Sequence, residues 1–137
     1  MCRAAAIFIA CVLAVSLSVS VFAAGIPDPP QSYVLDEADV ISDSTERYIN
    51  EKNNALAEAC GAQIVFVAVD FTGNYSTHDY AYELFNQWGI GDKKANNGML
   101  YVLVIGAEDY YALPGSGVLD VLSGGALDNI LSDYMEP

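Results

Sequence analysis

The stretch Gln87-Trp88-Gly89-Ile90-Gly91-Asp92 decides the fold, together with the run Asn96-Asn97-Gly98-Met99-Leu100-Tyr101-Val102-Leu103-Val104-Ile105 that follows it. The first stretch predicts the end of an amphipathic helix, which Gly89 stops. The second begins as a polar loop and continues as an apolar run without alternation, which is typical of a strand buried on both faces. Such strands belong to α/β layers, in which helices cover the sheet.

Helical and extended patterns alternate on both sides of this stretch. The predicted elements are strand 33–35, helix 43–60, strand 63–69, helix 76–88, strands 98–105 and 110–113, and helices 118–122 and 126–134. Asp43 and Glu46 fit a capping box for the first helix, and Ser76 or Thr77 fits the cap of the second. We therefore predict an α/β fold with a mixed β-sheet of about four strands and helices on both faces, a three-layer sandwich. The two long strands should be parallel, and the last two should be antiparallel neighbours.

The N-terminal residues predict export. Arg3 precedes an almost wholly apolar run from Ala4 to Val21, and Val21-Phe22-Ala23 has the small residues of a cleavage site, so residues 1–24 fit a signal peptide. The alternative is an uncleaved membrane anchor, because about 20 apolar residues can span a bilayer. Residues 25–32 contain three prolines and predict a linker, and residues 33–137 predict one domain. We expect an extracellular or cell-envelope location.

The charge of the exported part limits its partners. All 18 acids follow the predicted signal peptide, against four lysines and arginines, which leaves a net charge of −14. Nucleic acid and an anionic membrane surface would be repelled. The acids either form a solvated surface or converge on a hard cation such as calcium. Cys60 is the only cysteine after residue 24, and its position at a helix end predicts a small buried residue.

Several segments in order resemble the TPM domain, which occurs in bacterial exported proteins, a thylakoid lumen protein of photosystem II repair and an animal acetylcholine-receptor modulator. They are Val34–Ser42, Gly61–Val67, Tyr80–Gly91, Asn97–Leu100 and Gly115–Gly117. The resemblance implies a helix-covered sheet. This chain departs from the family pattern at two positions. The family usually has an acid where this chain has Asn97, and its acid after the Gly-x-Gly turn stands at a different position from Asp120. The family also continues beyond the position of Pro137, which leaves open whether the domain is truncated at its C-terminal end.

The first candidate site binds a divalent cation, calcium or magnesium. Ligands of open α/β sheets gather where loops leave the carboxyl ends of the strands. Carboxylates and carbonyls of such loops are the ligands that calcium prefers, and family members have been associated with divalent ions. We predict metal ligation by Asp36, Asp39, Asp70, Asp92 and Asp120. The alternative is that these are solvated loop acids.

The second candidate is phosphate-ester hydrolysis, which the resemblance implies because acid phosphatase activity has been attributed to a plant member. Val69-Asp70-Phe71-Thr72-Gly73 resembles the loop of aspartyl-phosphate enzymes. Asp70 would be the nucleophile, with a metal offsetting the phosphate charge. No second acid or catalytic lysine follows at the usual spacing. We favour a non-catalytic interaction or assembly module whose partner is an envelope or membrane protein, with the metal-dependent phosphatase as the alternative.

Overall fold

The computed structural model describes residues 25–122 and 125–134, so the predicted signal peptide lies outside the described residues. The elements in order are β1 (Val34–Asp36), α1 (Asp43–Cys60), β2 (Gln63–Val69), α2 (Thr77–Trp88), β3 (Gly98–Val104), a 3-10 turn (Ile105–Ala107), β4 (Asp109–Pro114), α3 (Ser116–Val121) and α4 (Ala126–Tyr134). These bounds agree with the predicted elements to within three residues at each end.

The strands form one mixed sheet in the order β1-β2-β3-β4. β1, β2 and β3 are parallel, with Val67 opposite Val102 at the centre, and β4 runs antiparallel to β3. The predicted mixed α/β sheet of about four strands is confirmed. Because β2 and β3 lie in the middle, both of their faces need cover, which explains their continuous apolar sequences.

One face of the sheet is closed by α2. Leu84, Ala81 and Tyr80 of α2 pack against alternate residues of β2 and β3, among which Leu100 and Val102 are fully buried. Full burial of a side chain such as Leu84 or Leu100 contributes about 1.5–3 kcal/mol each to stability. This face therefore forms the main core of the domain.

The opposite face is covered by α4, which completes the three layers. Its apolar residues face Ile64, Phe66, Met99 and Tyr101 across a hollow of about 420 Å³. α4 has no buried residue, whereas α2 has four, so α4 contributes less packing than α2.

Two asparagines of α1 complete the short outer strand. The Asn53 side chain is buried, its Oδ1 accepts a hydrogen bond from the Ile64 backbone N–H at 2.7 Å, and its Nδ2 donates to the Ile49 carbonyl at 3.0 Å. Asn50 Oδ1 likewise accepts from the Tyr33 N–H at 2.9 Å. β1 is too short to satisfy all the edge donors of β2, so a helix side chain takes the place of a strand.

The helix ends correct two of the sequence predictions. Ser42, not Asp43, caps α1, because its side chain accepts from the Thr45 N–H, whereas Asp43 already lies within the helix. Ser76 caps α2 in the same way. Cys60 is exposed rather than buried, because the last turn of α1 directs it away from the sheet, and its Sγ contacts the Leu56 carbonyl at 3.4 Å.

The segment predicted to be a linker, 25–32, lies against the domain. The Trp88 indole N–H donates a hydrogen bond to the Pro27 carbonyl at 2.9 Å, and Ile26 packs against the α2 core beside Trp88. Trp88 thus joins the end of α2 to the start of the domain, as a half-buried residue rather than a fully enclosed one. Among the described residues, no helix is both long and apolar enough to cross a membrane.

Candidate functional site

The parallel strands give the sheet two different ends. The carboxyl edge consists of residues 36–42, 70–76 and 105–109, which are the three loops that follow β1, β2 and β3 together with the last residue of β1 and the first of β4. The amino edge consists of the segments before β2 and β3 and after β4, residues 60–62, 89–97 and 115–117. β2 and β3 each have seven residues, so the two edges are separated by about 20 Å.

The carboxyl edge exposes large apolar side chains. Phe71 is 72% exposed, Val40 is 51% exposed and Ile105 is 40% exposed, and each belongs to a different loop of this edge. A β-carbon added to Gly106 would lie 2.5 Å from a ring carbon of Phe71, so the ring lies directly against the Gly106 backbone. The Gly106 N–H also donates to the Asp70 carbonyl at 3.0 Å, which joins the second and third loops into one surface.

The same loops carry only negative charge. They contain six acids and no lysine, arginine or histidine, the acids being Asp36, Glu37, Asp39, Asp70, Glu108 and Asp109. The four lysines and arginines among the described residues lie elsewhere, Arg47 and Lys52 in α1 and Lys93 and Lys94 at the amino edge. The three loops of the carboxyl edge therefore combine acids with exposed apolar groups, and Arg47 is the nearest lysine or arginine in sequence, five residues after the first loop.

A groove of about 310 Å³ lies beside the third loop. Leu103, Val104, Ile105 and Tyr110 supply most of its walls, and Glu108 and Asp109 supply its acidic part. Tyr110 stacks on Tyr101, with ring centroids 6.0 Å apart. The groove thus combines an apolar floor with two carboxylates.

The five predicted metal ligands are divided between the edges. Asp36, Asp39 and Asp70 lie in loops of the carboxyl edge, whereas Asp92 precedes β3 at the amino edge and Asp120 lies in α3 beyond β4. Since the edges are about 20 Å apart, the structure brings together the first three at most. Within residues 25–122 and 125–134, no three His, Cys, Asp or Glu side chains form a group that could hold a metal ion. An ion site made by all five acids does not fit this arrangement, and binding to the carboxyl-edge subset stays a prediction.

Two of these acids have structural contacts. Asp36 accepts hydrogen bonds from the backbone N–H groups of Ile41 at 2.6 Å and Val40 at 3.2 Å, which folds the first loop. Asp92 accepts from the backbone N–H groups of Ala95 and Lys94, and these bonds lower the pKa of its carboxyl. Both therefore act as turn acids.

The amino edge is closed by hydrogen bonds and close backbone contacts. The Gln63 side chain accepts from the Gly91 N–H at 3.1 Å, and Asn97 Nδ2 donates to the Cys60 carbonyl at 3.0 Å. A β-carbon at Gly98 would lie 2.0 Å from the Ile90 carbonyl oxygen, and one at Gly117 would lie 2.0 Å from the Ala95 oxygen. The Gly-x-Gly motif therefore has a packing role.

Two further residues are His78, which lies two residues beyond a carboxyl-edge loop, and Tyr101 on the α4 face. His78 is exposed in the first turn of α2, where its Nδ1 lies 3.0 Å from Asp79 Oδ1 and its ring packs between Tyr82 and Tyr111. On the α4 face, Tyr101 is 7% exposed, and its hydroxyl has no hydrogen-bond partner among the described residues. Burial raises the pKa of Tyr101 to about 12, with a smaller contribution from Tyr110.

Comparison with known proteins identifies the architecture. The sequence profile of the TPM domain matches residues 34–137, which is most of the chain. This chain belongs to the TPM domain family. No curated protein matches the chain.

Two solved structures resemble this TPM domain. The solution NMR structure of the N-terminal domain of a protein from P. gingivalis is 31% identical, with a TM-score of 0.63, over 75% of this chain and 66% of that one. The N-terminal domain of a Corynebacterium glutamicum protein is 17% identical, with a TM-score of 0.56, over 80% of this chain and 73% of that one, and this likeness shows the fold alone. The chain spans just under two thirds of the length of the first structure.

The sequence did not predict the exposed apolar residues of the carboxyl edge. Phe71 was noticed only as a neighbour of Asp70, because an apolar residue in a loop carries no periodicity that indicates its exposure. The direction of the strands could have separated Asp92 from Asp70, since a residue before a strand and a residue after a parallel neighbour lie at opposite edges. The sequence therefore contained enough information to place the acids at opposite edges, but none that indicated the exposure of Phe71.

Proposed function

We propose that this TPM domain is an exported, non-catalytic interaction module of the cell envelope, and that its carboxyl edge is the surface that contacts a partner protein. The observation that carries the proposal is the exposed Phe71 ring, held against Gly106 between two acidic loops. An exposed apolar group with a charged rim is typical of a protein-binding surface.

The geometry of the edge favours binding. The Phe71 ring contacts the Gly106 backbone, and the hydrogen bond from Gly106 to the Asp70 carbonyl joins the two loops, so this contact already limits the freedom of the ring before a partner covers it. Val40 and Ile105 are exposed apolar residues in the loops on either side. Such preorganised aromatic groups are frequent centres of binding energy in interfaces.

In-cell photo-crosslinking tests this proposal. A photoreactive phenylalanine at Phe71 should crosslink to a defined envelope protein, whereas the same residue at Tyr48, which is 61% exposed on α1, should not. Loss of the crosslink in the Ile105→Ala variant would support a shared surface. Equal crosslinking at both positions, or none at Phe71, would contradict the proposal.

A metal-dependent phosphatase is the alternative function. Asp70 is exposed directly after β2, at the edge where α/β enzymes place catalytic residues. The purified protein with magnesium should then hydrolyse a chromogenic phosphate ester, and Asp70→Asn should abolish the activity while Asp92→Asn leaves it intact. Hydrolysis that persists in Asp70→Asn would remove Asp70 as the nucleophile.

Cation binding at the carboxyl edge is compatible with either function. Asp36, Asp39 and Asp70 are the predicted ligands that share this edge. If calcium binds there, it should raise the melting temperature through native-state binding, and Asp70→Asn should reduce that rise. Titration calorimetry without heat and an unchanged melting temperature at millimolar calcium would eliminate the site.

A further inference from the structure

We propose that the groove beside the third loop of the carboxyl edge takes an arginine or lysine side chain from a basic segment of the partner, next to an apolar partner residue that covers Phe71 and Ile105. The inference rests on the proposed function and adds the chemistry of the partner.

The walls of the groove match the two parts of a basic side chain. Lysine and arginine have an apolar stem and a cationic end, and the groove has an apolar wall of Leu103 and Ile105 with Glu108 and Asp109 at its acidic part. The Tyr110 ring lines the same groove, and it gives a planar guanidinium an aromatic surface to stack on. A volume of about 310 Å³ is enough for one such side chain.

The neighbouring exposed residues suit a segment rather than a free amino acid. Phe71 contacts Gly106, which immediately follows Ile105 of the groove. A partner residue adjacent to the arginine or lysine would therefore meet the Phe71 ring. Burial of that ring would supply apolar contact area, whereas the carboxylates would orient the segment.

Charge complementarity selects a basic partner. The three loops have six acids and no lysine, arginine or histidine, and the first turns of α1 and α2 add Asp43, Glu46 and Asp79 against Arg47, so the edge carries a net negative field. This field attracts cations from a distance and raises association rates at low ionic strength. It repels nucleic acid and anionic lipid headgroups, and it favours a basic protein segment.

Peptide titration tests the inference. The protein, purified from an exporting host, is titrated with a peptide of alternating leucine and arginine, and with a control in which citrulline replaces arginine. Citrulline keeps the shape and removes the charge. The arginine peptide should bind at least about tenfold more tightly, and this difference should largely vanish when the salt rises from about 0.02 M to 0.5 M.

Variants locate the binding to the groove. The double variant Glu108→Gln/Asp109→Asn should weaken binding of the arginine peptide by about tenfold or more. Glu51→Gln with Glu58→Gln removes the same charge from the exposed surface of α1 and should change binding by less than about twofold. If both double variants weakened peptide binding equally, the effect would be one of overall charge, and the groove would not be the binding site.

The outcome distinguishes this inference from the proposed function. Equal affinity for the arginine and citrulline peptides would overturn the basic partner. Crosslinking at Phe71 to a neutral or acidic protein would be consistent with the proposed interaction module, but it would contradict the proposal that the partner binds through a basic segment. Absence of that crosslink would reject both.

Discussion

The two edges of the sheet end the same strands in opposite ways. At the amino edge, Gly98 and Gly117 bring backbones into direct contact, and side-chain amides of Gln63 and Asn97 close the remaining gaps. At the carboxyl edge, Phe71 and its neighbours are left in solvent among acids. The difference indicates that the amino edge stabilises the fold and that the carboxyl edge is available for binding.

The largest expected effect is at Gly98. A β-carbon there would overlap the Ile90 carbonyl oxygen, and neither group can move without shifting β3, so Gly98→Ala should lower the free energy of unfolding by about 3 kcal/mol. Gly89→Ala is the matched control. It has a positive φ of 62° but nothing within 4 Å, so it should cost only about 1 kcal/mol. Urea unfolding measures both, and equal losses would contradict a closed amino edge.

A smaller loss is expected at Asn53. Asn53→Ala leaves the Ile64 N–H without its acceptor inside the domain, which should cost about 1–3 kcal/mol. The neighbouring Asn54 is exposed, and Asn54→Ala should change the free energy of unfolding by no more than about 0.5 kcal/mol. If thermal unfolding shows equal stability for the two variants, the Asn53 side chain does not provide the acceptor that a neighbouring strand would otherwise supply to the Ile64 N–H.

Alkaline pH should destabilise the domain through a buried phenol near the carboxyl edge. Burial, with Glu37 as a smaller cause, raises the pKa of Tyr80 to about 12, above its ordinary value of about 10. Below pH 10 the residue is neutral in both the folded and the unfolded chain. Between about pH 10 and 12 only the unfolded chain releases the proton, so stability falls as pH rises. Tyr80→Phe should weaken this fall in urea titrations at pH 9 to 11.5, and an unchanged pH slope would argue against a buried phenol.

The smallest effect on stability is expected at Phe71. Because this ring is largely exposed, Phe71→Ala should change the free energy of unfolding by no more than about 0.5 kcal/mol, while it removes partner crosslinking through Ile105. Calorimetric unfolding and crosslinking from the Ile105 position measure the two effects. A stability loss as large as that of Gly98→Ala would show that the carboxyl edge also holds the fold.

Much of this architecture follows from the sequence. The apolar runs of β2 and β3 predicted buried strands, and Gly61 and Gly89 marked the helix ends, where both adopt the left-handed conformation. These signals are local, and each has a direct backbone cause.

The rest depends on contacts between distant segments. The helical pattern around Asn53 does not indicate its burial, because only the fold brings its side chain to the Ile64 N–H. The docking of Pro27 on Trp88 spans 61 residues, so composition alone indicated a linker. The acids were grouped by residue type, whereas strand direction divides them between two edges.

Chemical-shift mapping of the ¹⁵N-labelled protein with the alternating arginine–leucine peptide tests the central claim most directly. We expect saturable shifts in residues 36–42, 70–76 and 105–110, and unchanged resonances in residues 89–97. Shifts concentrated in residues 89–97, or no saturable shifts in the first three segments, would contradict a binding surface at the carboxyl edge.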